Sequence, residues 1–228
     1  MKFVFAPLVL DARGKFGNAV FSANKSGKYI RNLVIPNNPN TEAQQAVRGR
    51  FGGISASWRG LSDAQRQGWN AAAIDYIQSD VFGEVVQLSG FQLFSKLNNS
   101  LLSIGAASIT NAVAPASIPF LELTLAATAS ALDITMSGAL PAGTVLIVEA
   151  TRGLSVGRMS AENNEYRQLD VLEALDGDNS ADITAAYNAV FGPLANGTKI
   201  FVRTQLVATA NGQRGQKSVA SALIPDAG

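Results

Sequence analysis

One four-residue signature occurs three times between residues 41 and 92: Thr41-Glu42-Ala43-Gln44, Ser62-Asp63-Ala64-Gln65 and Ser89-Gly90-Phe91-Gln92. In such a capping box the hydroxyl accepts from an orphan backbone N–H of the first helical turn, and the Gln side chain reaches back to the cap residue. Each box therefore predicts a helix start, and an apolar stripe at helical spacing follows each one. Val47, Phe51, Ile54 and Trp58 form the first stripe, Trp69, Ala72, Ala73 and Tyr76 the second, and Phe91, Phe94, Leu97, Leu101 and Ile104 the third. Gly52-Gly53 costs the first helix roughly 1 kcal/mol per glycine, which predicts a kink or a close helix contact, and Gly60 is expected to end it. Residues 41–105 are thus expected to form a three-helix unit whose core is supplied by Trp58, Trp69 and the phenylalanines.

After residue 105 the pattern changes. Residues 106–118 are Ala, Ser, Thr, Asn, Ile, Val and Pro without charge, a linker composition. From 119 onward, β-rich runs recur at nearly regular spacing: 120–125, 132–136, 144–151, 166–172, 199–209 and 216–224. Leu132, Ile134 and Met136 alternate with Asp133 and Thr135, as in a strand with one solvated face. Asn211-Gly212 is a hairpin signal between the last two runs. Residues 182–191 are compatible with a short helix capped by Asp182 and stopped at Gly192-Pro193, or with another strand. Residues 119–228 read as an all-β sandwich.

Before the helices, the apolar run 3–10 and the segments 18–24 and 28–35 around Lys25-Ser26-Gly27 predict a β-arm with a hairpin in residues 1–40. A hairpin of this length must pack on something or reach a neighbour. A secretory leader is not expected, because Pro7 interrupts the run and Asp11-Ala12-Arg13 replaces a small-residue cleavage site. A membrane span is not expected either, since polar residues and prolines break the uncharged stretch 97–121. The expected class is α+β and multidomain.

Composition limits the chemistry. The chain of 228 residues has no Cys and no His, so thiolate or imidazole metal sites and His-dependent nucleophile systems cannot be built from it. Its formal charge of +1 hides an asymmetry: eleven Lys/Arg against six Asp/Glu before residue 119 give +5, and seven against eleven afterwards give −4. Such polarity suits a protein that docks at one end, or subunits that pack head to tail.

The remaining options for chemistry are few. The carboxylates Glu162, Glu165, Asp170, Glu173, Asp176, Asp178 and Asp182 sit mostly in polar turns, where solvated charge explains them better than acid–base pairing. Residues 176–182 offer oxygen ligands for a hard cation but lack the glycine and bidentate Glu of a calcium loop. Arg48, Arg50, Arg59 and Arg66 lie near Trp58 and Trp69, yet no nucleic-acid module accompanies them. No cofactor, metal or catalytic residue is expected. Tyr166, Tyr187 and Phe191 are candidates for stacking against a glycan, with sandwich core as the plainer explanation.

The ordered motifs Arg13-Gly14-Lys15-Phe16-Gly17-Asn18-Ala19-Val20-Phe21-Ser22, Gly27-Lys28-Tyr29-Ile30-Arg31 and Pro36-Asn37-Asn38-Pro39-Asn40-Thr41 are followed by Gln44-Gln45, Arg48, Trp58, Leu61-Ser62, Gln65-Arg66 and Trp69-Asn70. Together they resemble a group of proteins encoded in tailed-phage and prophage gene clusters. The second half resembles a fibronectin type III or immunoglobulin-like module on Phe191-Gly192-Pro193-Leu194-Ala195-Asn196-Gly197-Thr198-Lys199-Ile200 and Asn211-Gly212. The resemblance implies a non-enzymatic virion component, capsid accessory or tail/collar, assembled in the host cytoplasm. Its expected partners are other virion proteins or copies of itself, with a host-surface glycan as the alternative. Phe3, Phe5, Phe16, Phe21, Tyr29 and Arg31 are the expected assembly contacts.

Overall fold

The computed structural model describes residues 12–25, 27–35, 37–79 and 82–225. The chain divides into two compact units, 1–45 and 46–228.

In the first unit, β1 (Gly14–Phe16), β2 (Ala19–Asn24) and β3 (Gly27–Asn32) form an antiparallel sheet in that order. Gly17 (φ +56°) turns β1 into β2, and Gly27 (φ +111°) opens β3, both in backbone regions where a side chain would be strained. Phe21 stands opposite Gly14 on one side and Ile30 on the other, and Val20 stands between Lys15 and Arg31. The sheet has three short strands where the sequence predicted a hairpin after a long first strand. The predicted run 3–10 lies outside the described residues.

Helix α1 (Glu42–Gly60) begins in the first unit and continues into the second. Its Thr41 box is half formed: the Thr41 hydroxyl accepts from Gln44 N at 3.4 Å, and the amide that reaches back is Gln45, to the Asn40 carbonyl. The boxes of α2 (Asp63–Ala72) and α3 (Gly90–Ser103) are complete. Between those helices, β4 (Gln78–Ser79) and β5 (Val85–Val86) make a small antiparallel ladder that periodicity did not show. The helical core is an aromatic stack. Trp69 meets Phe94 edge-on at 5.2 Å, and Trp58 packs on Phe91 and Phe94 at 5.6 and 5.3 Å. This placement accounts for both tryptophans as core. Arg66 donates to the Trp58 and Arg59 carbonyls and pairs with Asp63, so it serves the C-terminal end of α1.

The rest is a two-sheet sandwich with α4 inserted. β6 (Leu123–Ala127), β7 (Leu132–Met136) and β10 (Ser180–Asp182) form one sheet in the order β10-β7-β6. β8 (Thr144–Ala150), β9 (Arg167–Leu172), β11 (Lys199–Ala208) and β12 (Arg214–Leu223) form the other, in the order β12-β11-β8-β9. Residues 182–191 resolve as α4 (Thr184–Phe191), with Ile183 rather than Asp182 at the cap position; Asp182 instead accepts from the Thr184 N–H at 2.7 Å. Leu132, Ile134, Met136, Leu146, Val148, Ile200, Val202, Leu206 and Ile224 fill the interior with Ile183 before α4 and Tyr187 within it.

The four-stranded sheet is covered by the other sheet on its inner face and by the end of α3 over part of its outer face, which explains why β8 reads as the continuous run Thr-Val-Leu-Ile-Val-Glu-Ala instead of alternating. Its outer residues Val145, Ile147 and Val207 are packed by Ile104 at the end of α3. Segment 106–118, which the composition presents as a linker, is hydrogen-bonded at several points along its length. Asn98 binds both backbone groups of Ile109, the Trp69 indole donates to the Thr110 carbonyl, and the Tyr76 hydroxyl to the Val113 carbonyl. Asn211 donates to the Ala114 carbonyl, and the Ala116 N–H donates to the Gln213 side chain. The physical reason is that buried Asn98, Trp69, Tyr76 and Asn211 all need partners, and the uncharged segment supplies them from its main chain. Residues 46–228 accordingly form one compact unit.

Candidate functional site

The expected assembly contacts fall into three groups. Phe3 and Phe5 lie outside the described residues. Phe16 and Phe21 are on one face of the three-stranded sheet by register, since Phe16 pairs Ala19 and Phe21 pairs Gly14. Tyr29 and Arg31 are on the opposite face, opposite Ser22 and Val20. The four described residues are therefore divided between the two faces of the sheet. Phe16 is 79% exposed, while Phe21 and Tyr29 are half-buried. Val34 and Ile35 just after β3 are also exposed.

The second unit has an apolar surface of its own. On the predicted stripe of α1, Ile54 is buried and Trp58 packs on the core, but Val47 and Phe51 are 59% and 54% exposed. The helix is held by its C-terminal half and presents the N-terminal half of the same stripe. Aggregated apolar side chains on a protein surface mark contact sites more often than isolated ones do.

The glycan candidates separate. Tyr187 is 2% exposed inside the sandwich, so its ring faces protein, and Phe191, which lies against it at 5.1 Å, is half-buried at the edge of the same core. Burial raises the Tyr187 hydroxyl above its ordinary value, partly offset by a hydrogen bond with the Gly153 backbone. This corrects the stacking expectation for Tyr187, whose ring fills the interior between the sheets. Tyr166 is elsewhere, on the outer face of the four-stranded sheet.

That outer face carries a connected polar cluster. β-strand alternation sends Phe201, Arg203 and Gln205 outward from β11, and Lys217, Val219 and Ser221 outward from β12, where Phe201 faces Ser221 and Arg203 faces Val219. Glu149 is the outward residue of β8 opposite Arg203. The Arg203 guanidinium donates from Nε to Glu149 and from Nη1 to Asn163 at 2.6 Å, and lies 4.1 Å over the Tyr166 ring. Burial raises the Tyr166 hydroxyl, opposed by Arg203 and supported by Glu149 and Glu165. The loop carrying Asn163 is fastened by a two-point Arg158–Glu165 pair at 3.1 and 2.8 Å, and Glu165 also accepts from the Glu162 N–H. Those hydrogen bonds hold the Glu165 carboxyl below the usual range. Between loop and strands lies an open groove of about 360 Å³ lined by Met159, Asn163, Tyr166, Phe201, Arg203, Lys217 and Ser221. Sequence reasoning marked only Tyr166 of these. Arg203, Asn163 and Lys217 are far apart in the chain, and only the register of β11 and β12 unites them.

The acidic turn, read from the sequence as a polar turn that lacks the ligands of a calcium loop, is engaged in its own backbone. Asp178 accepts from the N–H and hydroxyl of Ser180, which lowers its carboxyl, and Asn179 takes φ +61°. Among the described residues no group of three or more Asp/Glu side chains is placed to hold a metal ion. No described helix is long and apolar enough to cross a membrane.

No protein-family model matches the chain, and no curated protein matches it. Among solved structures, the fibronectin type III domain of human collagen alpha-1(XX) chain is similar at 18% identity over 51% of this chain and 96% of its own length, with a TM-score of 0.30. A β-1,2-glucanase from Parabacteroides distasonis is similar at 16% identity over 50% of this chain, with a TM-score of 0.30; the match spans only 15% of that enzyme.

Proposed function

We propose that the chain is a non-enzymatic structural component of a tailed-phage particle, a capsid accessory or tail/collar protein that docks through its N-terminal sheet and helices and displays the sandwich. The observation that carries the contact role is the exposure of Val47 and Phe51 on a helix whose remaining stripe, Ile54 and Trp58, packs on the core. Exposed Phe16, Val34 and Ile35 in the first unit support the same role. The particle assignment is supported by the N-terminal motifs described above. A sequence without Cys or His suits work done by surface contact and strand addition, which need main-chain hydrogen bonds and apolar area instead of reactive groups. The strand order β10-β7-β6 against β12-β11-β8-β9 supports assigning the sandwich to the fibronectin type III class.

The test is incorporation. Particles assembled with a chain lacking residues 1–35 should contain at most a small fraction of the normal amount, measured by quantitative mass spectrometry of purified particles. Normal incorporation of the shortened chain would overturn the docking role, and absence of the full chain from purified particles would overturn the assignment to a virion.

A further inference from the structure

We infer that the exposed stripe of α1 docks on the exposed face of the β4–β5 hairpin in a second copy of the chain. The inference rests on the contact role proposed for Val47 and Phe51 and names the surface they meet.

The first ground is that the connection from α2 to α3 is itself an apolar surface. Ile74, Ile77, Phe82 and Val85 are all exposed, the last at 71%, more than either Val47 or Phe51. The register, Gln78 opposite Val86 and Ser79 opposite Val85, accounts for the arrangement. Alternation puts Ile77, Ser79 and Val85 on the outward face of the ladder and half-buried Gln78 and Val86 on the other. A ladder of two residue pairs has little stability of its own, and apolar side chains of this size are stabilised when another surface covers them. Apolar side chains gathered on a surface in this way mark a contact site.

The second ground is charge. On α1, helical rotation places Arg48 to one side of the stripe of Val47 and Phe51 and Arg50 to the other. No carboxylate occurs between Glu42 and Asp63. On the hairpin the sign is reversed: Asp75 and Glu84 accompany the apolar residues, and no Lys or Arg occurs between Arg66 and Lys96. One surface is apolar with positive flanks, the other apolar with negative ones, and every copy of the chain carries both. Complementary charge around an apolar contact decides which surfaces pair. The same charges disfavour α1 against α1 and hairpin against hairpin, since like signs would meet. A second copy therefore supplies both the apolar area and the sign that each surface requires.

The experiment is sedimentation velocity on the full chain at low and high salt. The chain should self-associate at roughly 100 µM or below in low salt, and less in high salt. Arg50→Glu and Asp75→Lys should each weaken association about 10-fold. An equimolar mixture of the two variants should recover most of that loss, because each contact in the mixed pair then joins opposite charges. Ile77→Ser combined with Val85→Ser should weaken association by a similar factor with a nearly unchanged melting temperature, since both side chains are exposed; this variant carries the test if a charge variant does not fold. A chain that is monomeric at every concentration, a mixture no tighter than either variant alone, or an unaffected Ile77→Ser/Val85→Ser variant would overturn the inference. A monomeric chain that still enters particles would leave the particle assignment standing, and self-association of a chain absent from particles would leave this contact standing.

Discussion

The Arg203 guanidinium sits over the ring of Tyr166, its Cζ 4.1 Å from the centroid, while its Nε and Nη1 donate to Glu149 and Asn163. One side chain thereby joins β11, β8 and the loop before β9. The Arg203 and Glu149 side chains are 10% and 22% exposed, so removing one partner leaves a poorly solvated charge. Arg203→Ala should destabilise the second unit by about 3 kcal/mol. In a urea-denaturation cycle with Glu149→Gln, the double variant should be more stable than the sum of the single effects predicts. Strict additivity would show that the pair is not coupled.

Asn98 is fully buried and binds three backbone groups: the Phe94 carbonyl and both the N–H and carbonyl of Ile109. Asn98→Ala strands two groups of Ile109 and should cost about 2–3 kcal/mol. Asn98→Asp should be worse, since a carboxylate cannot donate to either carbonyl. Hydrogen exchange at the Ile109 amide should accelerate in Asn98→Ala and less in Asn98→Asp, which keeps an oxygen to accept from it; a protected amide in Asn98→Ala would contradict this account.

Gly212, at φ +73°, turns the tip of the β11–β12 hairpin onto α3. A Cβ there would strike the Leu97 carbonyl oxygen and come within 2.9 Å of Leu101 Cγ. Gly212→Ala combines left-handed strain with a backbone clash, and a loss of at least about 2 kcal/mol is expected. Gly177→Ala, with open space around its Cβ and no positive φ, is the control and should leave the melting temperature within about 1 °C, in keeping with a surface change below about 0.5 kcal/mol. Similar melting shifts for the two would remove the hairpin contact as the cause.

Asp182 accepts from the Thr184 side chain and N–H, which hold its carboxyl below the ordinary 3.8. A carboxyl whose folded value is depressed contributes stability at pH above its unfolded value and loses it as the pH falls through the folded one. Asp182→Asn should therefore reduce stability near neutral pH and shrink the loss between pH 5 and 2, measured by thermal melts across that range. An unchanged acid limb would assign acid sensitivity to Asp178 and Glu165, whose carboxyls are also lowered.

Val47 and Phe51 contribute little to the helical core, so Val47→Ser with Phe51→Ser should leave the melting temperature nearly unchanged while reducing co-assembly with particles. A large drop in melting temperature would show that both side chains are needed by the fold itself.

Much of this architecture was legible where a local rule governs. The Ser62 and Ser89 boxes set the starts of α2 and α3 within one residue, and alternation located β7. The boundaries of β11 and β12 followed from runs flanking Asn211-Gly212. Short strands β1, β4, β5 and β10 escaped because two or three residues carry no period. Residues 106–118 look like a linker because their side chains do little; their main chain is what Asn98, Trp69, Tyr76 and Asn211 bind. Within the groove, Tyr166 was marked for its ring, but its ring lies under Arg203, a relationship that depends on pairing across residues 149, 163 and 203.

The bonded segment 106–118 also decides how the second unit can carry force. A pull applied to the sandwich reaches the helices through Asn98–Ile109, Trp69–Thr110 and Tyr76–Val113 on one side and Asn211–Ala114 and Gln213–Ala116 on the other. These anchors must shear in company before the two parts can swivel. Load is therefore transmitted as through a brace instead of being dissipated at a hinge.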